Sequence, residues 1–314
     1  MSDAELVLRR ARRPLVLGMG GGGDVVGALA TAEHARIYDG AQPMLGGVTW
    51  ERRPIDPVPG PRAAAEIVDA DHLAPVVMLA RPETRVRDRD VYFAESRMAQ
   101  VLGEPTVLVD INDGPQAVAD GLATAADKLD RDLIVFVDVG GDLLAQGDEP
   151  GLRSPLCDAL MLAAAARLSD AGRPVLAAIF GIGCDAELTP DEVLARLSDV
   201  AGAGGFAGAR GLTEPVARRL EQAIELVPTE ASAQAVRAYR GASGRATIRG
   251  GTRTLELSPV AALTFYLDVD VTMRTSGRLA TALNDASTLQ QANAALNALG
   301  VRTELDLESG AVRP

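Results

Sequence analysis

The run Ile134-Val135-Phe136-Val137-Asp138-Val139-Gly140-Gly141-Asp142 constrains the fold of this chain more than any other stretch. Packing so dense in Ile, Val and Phe predicts a strand buried on both faces, as in a parallel sheet, and the glycines let the backbone turn at its carboxyl end. The design recurs twice. Leu15-Val16-Leu17-Gly18 leads into Gly20-Gly21-Gly22-Gly23-Asp24, and Val175-Leu176-Ala177-Ala178-Ile179-Phe180 leads into Gly181-Ile182-Gly183-Cys184-Asp185. Open α/β sheets hold their ligands beyond the carboxyl ends of the strands. Three strand ends, each with a glycine loop and a carboxylate, therefore predict one shared pocket.

Between these runs the pattern alternates. Residues 76–79, 106–111 and 174–180 read as strands, and 95–102, 114–129 and 155–168 read as helices. Thr189-Pro190-Asp191-Glu192 carries the cap, the first-turn proline and the returning glutamate of a helix start. Strands and helices at this spacing predict an α/β fold, a Rossmann-like three-layer sandwich with a mostly parallel sheet over residues 1–200. Residues 201–314 read as an α+β extension packed on the same core as one unit. It has helices at 214–227 and 230–239, a hairpin at 246–257 around Gly250-Gly251, a strand at 263–271 and a helical stretch at 279–299 that can break near Ser287. The glycine-rich 201–212 reads as a lid or a linker. The first crossover reads as strand 14–18, helix 25–33, then a second strand at Arg36-Ile37-Tyr38-Asp39. Residues 43–62, with four prolines after a β-like start, read as a surface excursion anchored by Trp50.

Composition narrows the chemistry. A formal charge of −12 over 314 residues argues against a nucleic-acid groove. No long uncharged apolar run predicts a membrane span, and residues 2–10 read as a short amphipathic helix, so the cytoplasm is the expected compartment. Lys128 is the one lysine, which removes a Schiff base near the glycine loops. His34 and His72 each read as structural. Cys157 and Cys184 lack zinc or disulfide spacing, and Cys184 reads as a small residue in a tight turn. Acid–base work then falls to carboxylates or to metal-bound water.

The candidate site follows. Asp142, Asp148, Glu149 and Asp185 are the expected catalytic acids. Asp24, Asp142 and Asp185 are the expected ligands of a hard cation, Mg²⁺ or Ca²⁺, which would offset their mutual repulsion. Gly20, Gly21, Gly22 and Gly23 would cradle an anionic or sugar group, and Arg153 would hold a phosphate or carboxylate through its fork. Gly18, Gly20 and Gly23 also match G-x-G-x-x-G, with Asp39 about 20 residues on as a ribose-binding acid, so a nucleotide cofactor stays open. Asp24 has two readings, helix N-cap or ligand contact. Asp158 belongs to the same set of acids, with a second reading as a first-turn acid that serves the helix dipole alone.

Five stretches together carry a resemblance: Gly20 to Val26, Gly46-Gly47-Val48-Thr49-Trp50-Glu51, Val139 to Asp142, Gly147 to Pro155, and Gly181 to Leu188. They resemble the archaeal and bacterial proteins of domain of unknown function 1152, over nearly the whole chain as far as Asp306. That family brings no assigned activity, and the resemblance implies a single-unit architecture. The leading expectation is a metal-assisted hydrolase or group-transfer enzyme for a phosphorylated or ribosyl, nucleoside-type small molecule. The alternatives are an NAD(P)- or S-adenosylmethionine-dependent enzyme built on residues 18–23, and a binding protein without turnover. A small-molecule substrate is the expected partner, and a homo-oligomer is compatible with the pattern.

Overall fold

The computed structural model describes residues 3–310. The chain opens with α1 (Ala4–Arg10) and β1 (Pro14–Gly18), then crosses through α2 (Asp24–Tyr38) to β2 (Met44–Val48). A hairpin, β3 (Ile67–Ala74) and β4 (Val77–Val86), precedes α3 (Ala94–Leu102) and β5 (Thr106–Val109). Alternation continues with α4 (Gly114–Lys128), β6 (Leu133–Val139), α5 (Pro155–Asp170), β7 (Val175–Phe180) and α6 (Pro190–Gly202). The remainder adds β8 (Phe206–Gly211), α7 (Glu214–Leu226), α8 (Ala231–Tyr239), the hairpin β9 (Gly244–Ile248) and β10 (Arg253–Leu257), and β11 (Leu263–Leu267). Short helices α9 (Val269–Ser276), α10 (Arg278–Ala282), α11 (Leu289–Ala298) and α12 (Glu304–Ser309) close it.

One nine-stranded sheet runs β3-β4-β5-β2-β1-β6-β7-β11-β8. Its centre, β5-β2-β1-β6-β7, is parallel throughout, and antiparallel strands finish both edges. Alternation along the strands builds a core on each face. Leu15, Leu17, Ile134 and Phe136 pack with α4 and α5 on one side, while Val16, Val135, Val137 and Phe180 pack with α2, α7 and α8 on the other. This is the Rossmann-like three-layer arrangement. No helix among the described residues is long and apolar enough to cross a membrane.

Four local expectations fail, each for a physical reason. Residues 36–39 are the end of α2 rather than a strand. The alanine-rich helix runs on until Gly40, at φ +68, and leaves Ile37 and Tyr38 exposed. Met44–Val48 is an interior strand rather than part of a surface excursion. Gly46 and Gly47 hid it, yet a Cβ at Gly46 would lie 2.6 Å from the Val107 carbonyl, so the close strand packing itself requires glycine. Residues 206–211 of the supposed lid are the edge strand β8, held by β11. The strand at 263–271 stops at Leu267, because Asp268 accepts the Val271 N–H at 3.1 Å and caps α9. Trp50 is fully buried, where a half-buried anchor is the expectation.

Candidate functional site

β1 and β6 are neighbours, and their crossovers leave toward opposite edges: β2 lies beyond β1, and β7 beyond β6. A parallel sheet opens a crevice at such a switch point. Here it is a cleft of ≈ 480 Å³ lined by the glycine loop 20–23 and by Asp24, Asp142, Asp158, Asp185 and Glu187. Asp24, Asp142 and Asp185 thus come together from the ends of β1, β6 and β7.

Asp24 does not cap its helix. Gly23 holds that position, and the Asp24 side chain turns back so that Oδ2 accepts the Gly20 N–H at 3.0 Å. Asp138 sits inside β6 on the face that meets α5, and its Oδ2 accepts the Leu143 N–H at 3.1 Å. Asp158 enters from the first turn of α5. Carboxylate oxygens of Asp24, Asp138 and Asp158 all lie within 4.8 Å of one another, and so do those of Asp142, Asp185 and Glu187. Asp138 Oδ1 and Asp158 Oδ1 are buried with no hydrogen-bond donor. Gly140 makes room for the second group: at φ +131, a Cβ there would fall 2.3 Å from the Asp185 carboxylate.

Crowding raises the affinity of these groups for protons. Burial and the Asp138 charge push Asp24 up to about 8, and burial pushes Asp138 up to about 6. Burial, then neighbouring carboxylates, holds Asp142, Asp158 and Asp185 well above the usual range. Two of the nearby arginines are engaged by protein groups. Arg52 donates to the Gly20 carbonyl at 2.8 Å, lies 4.2 Å over the Trp50 ring, and pairs with Glu304 and Glu308 at 3.4 and 3.5 Å. Arg253 pairs with Glu187 at 3.1 Å. Glu187 also accepts the N–H groups of Arg153 and Ser154, at 2.6 and 2.7 Å, so it pins the 153–154 turn.

Other expected residues lie elsewhere. Asp148 is exposed, and Glu149 accepts the Gln146 and Gly147 N–H groups at 2.8 and 2.9 Å. Both border a shallow groove with Glu192 and Arg196, because Pro150-Gly151 carries their turn outward before α5 begins. The Arg153 guanidinium is exposed and donates to its own loop at the Leu152 carbonyl, 2.8 Å away. Asp39 ends α2 in a buried ion pair with Arg210 at 2.6 Å. The 15 residues of α2 place it about 22 Å of helix from the glycine loop, too far to serve a ribose there. His34 lies beside the same Arg210, 3.2 Å from it. Cys157 and Cys184 are buried free thiols whose pKa values burial raises.

Sequence reasoning passed over Asp138, Glu187, Glu51 and Glu304. Asp138 had a signal, a carboxylate inside an apolar run. Glu51 lines the cleft, with burial pushing it up to about 7. Behind it Glu95 is fully buried with a donor to neither oxygen. Glu304 accepts the Leu156 and Cys157 N–H groups at 3.0 and 2.9 Å, capping α5 from the far end of the chain, a placement without local trace in the sequence.

Comparison with curated proteins and with solved structures returns no match. Residues 15–312 match the family described as Protein of unknown function (DUF1152), and with the match running from β1 into the segment after α12, the chain belongs to that family.

Proposed function

We propose that the cleft is the active site of a metal-assisted hydrolase or group-transfer enzyme acting on a phosphorylated or ribosyl, nucleoside-type small molecule. The observation that carries this reading is the Asp24–Asp138–Asp158 group, one carboxylate oxygen of each lying within 4.8 Å of the others, in which Asp138 and Asp158 each also bury an oxygen without a protein hydrogen-bond partner. Buried carboxylates are costly without a proton or a cation, and a hard divalent ion takes oxygen ligands. The reading shifts the cation from Asp24, Asp142 and Asp185 to Asp24, Asp138 and Asp158, because Glu187 in the other group is already met by protein donors. A bound ion would neutralise developing oxygen charge and acidify a water. Asp142 and Asp185 face the same space and would receive or return a proton. A nucleotide-cofactor reading loses its ribose acid with Asp39 in its ion pair.

Calorimetric titration of Mg²⁺ and of Ca²⁺ into the full chain at pH 8 tests the reading. Saturable binding is expected, weakened at least about tenfold in Asp158→Asn, a loss of roughly 1.4 kcal/mol. Turnover of nucleosides or phosphorylated ribosyl compounds is expected to fall by about a hundredfold or more in Asp142→Asn. Absence of binding at millimolar cation would sink the metal, and binding without turnover across the panel would favour a protein that only holds its ligand.

A further inference from the structure

Two arginines at the mouth of the cleft are unlike those in its walls. Arg53, on the loop after β2, lines the cleft, is exposed and has no ion-pair partner among the described residues. Arg249, at the turn of the β9–β10 hairpin, lines the same cleft from a different part of the chain. Its backbone lies at φ +54, in the left-handed region that side chains with a Cβ seldom occupy, although Gly250 and Gly251 follow immediately. Both oxygens of Glu230 accept the Arg249 N–H, at 3.0 and 2.9 Å, and hold that conformation. The guanidinium approaches Glu230 no closer than 3.7 Å and is half exposed, so its fork is not saturated. An unfavourable backbone held by a neighbour is characteristic of a residue positioned for contact. Arg52 cannot share this task, being engaged by Gly20, Glu304 and Glu308.

We propose that Arg53 and Arg249 form the anion-binding rim of the cleft and take the phosphate of a phosphorylated small molecule whose reacting end rests on the acid floor. This rests on reading the cleft as a site for such a substrate, and it moves the phosphate contact from Arg153 to the rim. Guanidinium groups match phosphate oxygens by paired hydrogen bonds. A floor of carboxylates would repel a phosphate, so a phosphorylated ligand needs its positive contacts at the opening.

The test uses the full chain with pyrophosphate as probe, titrated calorimetrically with and without Mg²⁺. Arg53→Ala and Arg249→Gly are each expected to weaken pyrophosphate binding about tenfold, while Arg153→Ala leaves it unchanged. Glycine at 249 keeps the left-handed backbone available, so the melting temperature of Arg249→Gly should hold or rise. A role confined to the Glu230 pair would instead lower it and spare the probe. Equal affinity in all variants, or no binding by the unaltered chain, overturns the rim. Titration with Mg²⁺ alone reports on the floor separately. Cation binding with arginine-independent pyrophosphate removes the rim and keeps the floor, and arginine-dependent pyrophosphate without cation binding does the reverse.

Discussion

Asp158 and Asp138 each bury an oxygen without a protein hydrogen-bond partner, in a group where one oxygen of each lies within 4.8 Å of the Asp24 carboxylate. Asparagine at 158 keeps the shape, removes one charge and supplies an amide donor toward its neighbours. Asp158→Asn is therefore expected to stabilise the cation-free protein by roughly 1–3 kcal/mol in chemical denaturation, while abolishing the rise in melting temperature that Mg²⁺ produces. A destabilised variant would contradict the idea that the floor is strained by charge. Gly140 tests the second group. Alanine there meets both an unfavourable φ and the Asp185 carboxylate, so Gly140→Ala should cost roughly 1–3 kcal/mol or more and depress turnover. Asp39→Ala separates fold from function: it removes one of the two carboxylates that hold Arg210 and leaves only the Glu5 pair at 2.9 Å, should cost about 1–3 kcal/mol, and should leave cation affinity unchanged.

At the scale of elements, α12 brings Glu304 and Glu308 back to the site. Glu304 caps α5 beside Asp158, and Glu308 accepts the Trp50 Nε1–H and the Gly60 N–H at 3.0 and 2.9 Å. One short helix therefore fixes the start of α5, the Trp50 ring and the Arg52 guanidinium together. Glu308→Ala removes acceptors from buried or partly buried donors and should cost about 1–3 kcal/mol. Trp50 is the one tryptophan in the chain, so its fluorescence reports the loosening directly, as a red-shifted emission. Unchanged emission with unchanged stability would show that α12 does not brace this wall. The strands supply the complementary rigidity: β6 is buried along its whole length between β1 and β7, which holds Asp138 and Asp142 at a set spacing.

Across the whole molecule the acid floor links stability to pH. A carboxyl whose pKa is raised on folding contributes stability that is complete below its unfolded value and is lost as pH rises through its folded value. Asp24 and Asp138 start near 3.8 and rise to about 8 and about 6. Without divalent cations the protein should thus be more stable near pH 5 than near pH 8, with a fall in melting temperature of roughly 5 °C or more. Mg²⁺ should restore most of that loss at pH 8 and do little at pH 5, where protons occupy the floor. Scanning calorimetry across that range with and without the ion gives the result. Stability that rises from pH 5 to pH 8 in the absence of cation would mean that the floor is neutralised by some other means.

Local chemistry determined the strands and turns that frame the cleft. The run 134–139, its two echoes and the glycines after them are decided by burial and backbone freedom within a few residues, and so Asp24, Asp142 and Asp185 were legible as one basin. Failures arose where a short window carries a misleading pattern. Ile37 and Tyr38 look like a strand but end a helix, and Gly46-Gly47 look like a loop but pass through the sheet. Asp148, Glu149 and Arg153 lie in a motif-rich loop whose outward direction depends on how Gly151 packs under the Glu187 carbonyl. Asp158 and Arg249 reach the cleft, with Asp138 and Glu304 behind Asp158, only after the sheet has ordered β1 beside β6 and α12 has folded back. Proximity between residues so far apart along the chain is a property of sheet order and helix packing, and no spacing in the sequence encodes it.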